Sequence, residues 1–257
     1  MNMSILKNNF EFLKVFFTFG CALLLPCLSG NSFADGQFYG PTISVNSPNQ
    51  ILRFETTLKV PALPPKPKSE NEVLFLWPGL QPDEKGAHFQ PIGNGVLQPV
   101  LTYGVSCAPT QQPKAFASWW ISAQYVNTLS KHKQYKGCLS GPSMLVKPGD
   151  ELFIEFKLNA TTNNWQQLVR NNTNGKAVMF EHNLGGQEQN YAEFFIESYR
   201  ASMNTPLVFT NTRIVAKNPV SGDWCHVSND NHSSVAGATV SDNGKVCSIA
   251  KIAVTMH

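Results

Sequence analysis

The chain has 257 residues, a net charge of +3 and only 14% charged residues, so electrostatics favours neither nucleic acid nor a charged membrane surface as a partner. With 42% hydrophobic residues, 18 glycines and 17 prolines it is a turn-rich chain with enough apolar mass for a sizeable core. No helical periodicity persists beyond a turn or two, which excludes a helical bundle.

Residues 1–34 read as a signal peptide. Lys7 and Lys14 make a basic start, Val15 to Leu28 is apolar, and Ser32-Phe33-Ala34 offers small residues for cleavage, with Asp35 as the mature start. The apolar run is short and broken by Gly20 and Pro26, so no stable membrane insertion is expected; a retained N-terminal anchor is the alternative. Loss of Lys7, Lys14 and Glu11 brings the mature chain one charge nearer to neutrality.

The remaining stretch, about 220 residues, carries short β-rich runs in place of helices. Strands are predicted at Gln50–Val60, Glu72–Trp77, Gly95–Gly104, Ala117–Asn127, Ser143–Val146, Glu151–Asn159, Trp165–Asn171, Ala177–His182, Tyr191–Tyr199 and Leu207–Ala216. Many short strands at this spacing predict an all-β sandwich or barrel. Asn174-Gly175 between two alternating runs is a hairpin signal, and the Pro-rich segment Pro61–Lys68 reads as an extended loop. The main domain is set at 35–216. Residues 217–257, rich in Ser, Asn and Gly, form an extension that either adds edge strands or makes a small lobe.

One strand stands out. Gly95–Gly104 (GVLQPVLTYG) is an apolar run with a single amide, Gln98, in its middle. Alternation puts Val96, Gln98, Val100 and Thr102 on one face and Leu97, Pro99, Leu101 and Tyr103 on the other. Pro99 cannot donate to a ladder, so the strand must bulge or go unpaired there. The mature chain keeps four cysteines, an even number that suggests two disulfides in an exported protein. Cys107–Cys138 and Cys225–Cys247 are the local pairings. No C-x-x-C or paired His spacing supports zinc in their place, so no metal and no cofactor is expected.

The segments LFLWPGLQP (Leu74–Pro82), GVLQPVLTYG, ASWWISAQYVN (Ala117–Asn127), KPGDELFIEF (Lys147–Phe156) and NYAEFFIESY (Asn190–Tyr199) occur in an order that resembles the glutamic peptidases, or eqolisins. The resemblance runs from Leu74 to about Ala216. It implies a sandwich of two antiparallel sheets of the concanavalin-like lectin and glucanase type. It also implies Gln98 as the catalytic Gln, Glu193 as the catalytic Glu, and a protein or peptide substrate. Pro99 and Phe194 depart from the family pattern, which has a small polar residue and usually a Trp at those places. The tail after Ala216 has no counterpart in it.

The chemistry stands without the family. Amide hydrolysis needs a base for water and a donor for the tetrahedral oxyanion. Glu193 can be the base, with a near-ordinary carboxyl that works in acid, and the Gln98 amide can be the donor, so the expected function is a secreted, acid-active endopeptidase. The two are expected on neighbouring strands, on one concave face, close enough to share a water. Trp77, Trp119, Trp120 and Tyr125 are candidates to line a substrate cleft, although Trp119 and Trp120, being adjacent, must face opposite ways. Two plain alternatives stay open: a solvated acidic face on the Glu193 strand, and a structurally bonded Gln98.

A carbohydrate-directed or host-interaction protein on the same sandwich is the rival class. Glu193 and Glu197 share a strand face four residues apart, about 13 Å, too far for the pair of carboxyls about 5–5.5 Å apart that a retaining glycosidase uses. Noncatalytic sugar binding would need only exposed aromatics and polar loops. No dense D-x-D loop indicates calcium.

Overall fold

In a computed structural model the described residues are 37–39, 43–83, 92–110, 116–227 and 232–256. The predicted signal peptide, 1–34, lies outside them. Among the described residues the chain folds into two antiparallel sheets of seven and eight strands, an all-β sandwich.

The first sheet contains β1 (Gln37–Tyr39), β2 (Ile43–Asn46), β4 (Val73–Gln81), β5 (Val96–Tyr103), β6 (Trp119–Asn127), β7 (Gly137–Val146) and β11 (Tyr191–Tyr199). Their order is β11-β4-β5-β6-β7, with β1 and β2 sharing the outer edge of β11. The second sheet contains β3 (Ile51–Lys59), β8 (Glu151–Leu158), β9 (Asn164–Asn171), β10 (Ala177–Asn183), β12 (Leu207–Ala216), β13 (Ser233–Ala236), β14 (Thr239–Ser241) and β15 (Val246–Val254). Their order is β10-β9-β8-β3-β12-β15, with β13 and β14 on the free edge of β15. All ten predicted strands are present. The Asn174-Gly175 hairpin joins β9 to β10, with Gly175 at φ 77° and its N–H donated to the Asn171 carbonyl at 2.8 Å. Among the described residues no helix is long and apolar enough to cross a membrane.

Alternation drives the packing. Odd residues of β6 (Trp119, Ile121, Ala123, Tyr125) and even residues of β11 (Ala192, Phe194, Ile196) turn between the sheets with Phe54, Phe156 and Phe209. Phe54 stacks on Phe156 at 5.0 Å between centroids, and Phe194 meets Phe54 and Phe209 edge-on at 5.6 and 4.8 Å. Phe194 is therefore a centre of the core, while its neighbours Glu193 and Phe195 face the other way.

Pro99 is accommodated by a gap. Its strand pairs without interruption to β6, but the β4–β5 ladder is open between Leu76–Leu101 and Leu80–Leu97. The register on either side sets Pro78 opposite Pro99. Neither residue has the N–H that a bonded pair would exchange, so the ladder opens there without a bulge.

The extension after Ala216 builds edge strands of the sandwich itself. β15 pairs along β12, and Cys247, Ile249, Ile252 and Val254 join the main core. Both disulfides are the local ones, Cys107–Cys138 and Cys225–Cys247. Cys225→Ser/Cys247→Ser is expected to cost about 3 kcal/mol, the chain entropy returned to a loop of this length. Denaturant unfolding of the two forms measures it, and a loss under 1 kcal/mol would mean that sheet pairing alone holds the tail.

Candidate active site

The site is built on the outer face of the first sheet, away from the core. β5 and β6 are buried along their whole length, so this face is recessed rather than open to solvent. Cross-strand register arranges the outward side chains in rows. One row runs Ser44, Glu193, Gly79, Gln98, Gln124, Ser140, taking Gly79 opposite Gln98 from the register flanking the proline gap. The next row holds Phe195, Trp77, Val100 and Ser122, and the one beyond it Glu197, Phe75, Thr102 and Trp120.

Glu193 and Gln98 thus lie on one face, in one row. They are not on neighbouring strands: β4 runs between them and separates their backbones by about 9–10 Å. The residue of β4 in that row is Gly79, which puts no side chain between them. A Cβ there would stand 2.6 Å from a Trp77 ring carbon and 3.1 Å from Glu193 Cγ. The space over Gly79 is already shared by the carboxyl and the indole.

Glu193 is 5% exposed, and Gln81 Nε2 donates to its Oε1 at 3.0 Å. Burial, then the charge of Glu197, pushes its carboxyl up to about 8. Glu197 is held by Trp77 Nε1, which donates to Oε2 at 3.2 Å, and by Tyr199 Oη, which donates to Oε1 at 3.0 Å. Burial raises it to about 7 against the lowering effect of those two donors. The near-ordinary carboxyl expected for Glu193 from sequence is therefore corrected: burial and the nearby Glu197 charge both raise it. Gln98 is 9% exposed, and its amide makes no hydrogen bond among the described residues. Its row neighbour Gln124 is tied to Ser122 Oγ at 2.9 Å.

Of the aromatics expected to line the cleft, Trp77 is on this face, stacked on Phe195 at 4.8 Å. Trp120 shares the face but is fully buried, with Nε1 donating to the Gly104 carbonyl at 3.0 Å. Trp119 and Tyr125 point the other way. Trp119 meets Tyr103 edge-on inside the core, and Tyr125 packs on His182 and accepts from Asn127 Nδ2. They share odd parity on β6, so one orientation decides both, and that orientation is inward.

Gly79 and Gln81 were not singled out from sequence. The signal was present in LFLWPGLQP, where alternation puts Phe75, Trp77, Gly79 and Gln81 on one face. Among the described residues, no basic side chain of β4, β5, β6 or β11 shares this face, and no group of three or more His, Cys, Asp or Glu is placed to hold a metal ion.

No protein-family model matches the chain, and no curated protein matches it in sequence. Its three-dimensional structure is similar to that of Scytalido-glutamic peptidase with a peptide-based transition state analog (TM-score 0.50, 15% identity, 83% of this chain and 98% of that one). A second structure of that peptidase, with a transition state analog inhibitor, gives the same values. SCP-B, a member of the Eqolisin family of peptidases in complex with the tripeptide Ala-Ile-His, is similar at TM-score 0.51 and 14% identity, over 86% of this chain and 98% of that one. At such identities the likeness is one of fold.

Proposed function

We propose that this chain is an exported hydrolase of peptide bonds that works through Glu193 and Gln98 on a protein or peptide substrate. The observation that carries the reading is the shared row, in which a buried carboxyl and an unbonded amide flank a position without a side chain. The two disulfides and the leader expected at 1–34 agree with export.

In the proposed reaction the ionised Glu193 takes a proton from water as the oxygen attacks the peptide carbonyl. The carbonyl π pair moves to oxygen, and the Gln98 N–H stabilises that oxyanion. Collapse breaks the C–N bond, and Glu193 returns the proton to the leaving amine. The chain's own groups suffice for every proton in this sequence. A base pushed up to about 8 is protonated in acid, so turnover should rise about tenfold per pH unit through the mildly acidic range and level off near that value.

Mature protein assayed on a denatured protein across pH 4–9 tests the reading. Glu193→Gln and Gln98→Ala are each expected to lower turnover on the order of 10²–10³-fold with the fold intact. No cleavage by the unaltered protein at any pH would sink it. Retention on a polysaccharide column would then favour carbohydrate binding, a reading weakened here because Trp77, Trp119, Trp120 and Tyr125 are all buried.

A further inference from the structure

The side chain that touches the Glu193 carboxyl comes from the middle of the sheet. Gln81 lies on β4 two residues beyond Gly79, on the same outward face, opposite Tyr191 of β11. From there its Nε2 reaches Oε1 of Glu193 at 3.0 Å. The other oxygen, Oε2, accepts no hydrogen bond from a described residue. One oxygen is anchored and the other is left for chemistry.

We propose that Gln81 is a positioning residue for Glu193: it fixes Oε1 so that Oε2 serves the water, and it does so with a donor that does not titrate. A carboxyl in its place could donate only while protonated and would repel Glu193 once ionised. The groups facing Glu193 make that distinction matter. Glu197 and Tyr191 titrate on its own strand, and Asp83, just past β4, acts on Tyr191. The neighbours from β2 and β5 in its row are the neutral Ser44 and Gln98. An amide at position 81 adds no further negative charge to a face that already holds two carboxyls.

The effect on turnover rests on the hydrolytic reading, whereas the effect on Glu193 itself rests on the hydrogen bond alone. The test therefore reads both. Full-length mature wild type, Gln81→Met and Gln81→Glu would be compared by kcat and KM against pH, and by ¹³C NMR titration of labelled Glu side chains. The Glu193 signal is assigned by its loss in Glu193→Gln. In Gln81→Met the Glu193 titration should move upward by on the order of one pH unit, because the ionised form loses a donor. Turnover should fall about tenfold at a fixed pH with KM unchanged.

Gln81→Glu should lower turnover, because the added carboxyl, once ionised, repels Glu193 and moves its titration, and with it the rising limb of the profile, to higher pH. A folded Gln81→Met chain whose Glu193 titrates as in the wild type would overturn the proposal. If that variant fails to fold, Gln81→Ala, which removes the donor and adds no charge, decides by the same titration: an upward shift supports the proposal and an unmoved signal overturns it. Absence of cleavage by the wild type would defeat the hydrolytic reading, while the titration would still decide whether Gln81 holds Glu193.

Discussion

Gly79→Ala is expected to lower turnover by on the order of 10²-fold or more, although the residue carries no functional group of its own. The added Cβ would fall 2.6 Å from one carbon of the Trp77 ring, 3.0 Å from another, and 3.1 Å from Glu193 Cγ. Contacts that short are not tolerated, so the indole, the carboxyl or both must move. Neither moves alone. Trp77 is stacked on Phe195 and bonded to Glu197, and Glu193 is bonded to Gln81. Displacement of about 1 Å at the base of the proposed reaction is enough to cost the expected factor. The fold should survive, because overpacking of this kind costs roughly 1–3 kcal/mol. Gly79→Val should remove activity altogether. Kinetics with denaturant unfolding would check both variants. An alanine variant that unfolds as the wild type does and turns over at the same rate would show that the missing side chain at position 79 has no catalytic meaning.

The strands were legible because apolar alternation and turn residues mark them directly. Gln98 was legible as a lone amide in an apolar run, and Glu193 through the resemblance of its segment to the glutamic peptidases. Sheet order was not. Nothing local to Gly95–Gly104 or Tyr191–Tyr199 says that β4 runs between them, since that is fixed by how all the strands close around one core. The meaning of Gly79 follows only from register, and so it could not be read from its flanking residues. For Trp119 and Trp120, alternation said that one faces inward without saying which. The choice belongs to the packing around Tyr103 on the neighbouring strand β5. For the tail, sequence left edge strands and a small lobe both open. Its polar flanks look marginal, yet β15 carries Ile249, Ile252 and Val254 at positions that complete the second sheet's inner face.

Stability should fall as the solution is made alkaline, in the direction opposite to the proposed activity. Glu193 and Glu197 have carboxyls raised from an ordinary 4.5 to about 8 and about 7, with burial the leading cause of each. Between those limits the folded chain holds protons that the unfolded chain has released. Their contribution is therefore fully present below about pH 4.5 and is lost as pH climbs through 7 and 8. For a domain of this size the melting temperature should drop by on the order of 10 °C between pH 5 and pH 8.5. Glu193→Gln should flatten the upper part of that decline, and Glu193→Gln/Glu197→Gln should remove most of it. The single variant is thus expected to be more stable than the wild type at pH 8 while losing its activity, since the charge that is costly to bury is the one the proposed reaction uses. Calorimetry of the three proteins across this range measures the slopes. Parallel curves for all three would mean that neither carboxyl is desolvated in solution, and the recessed character of the site would fall with that result.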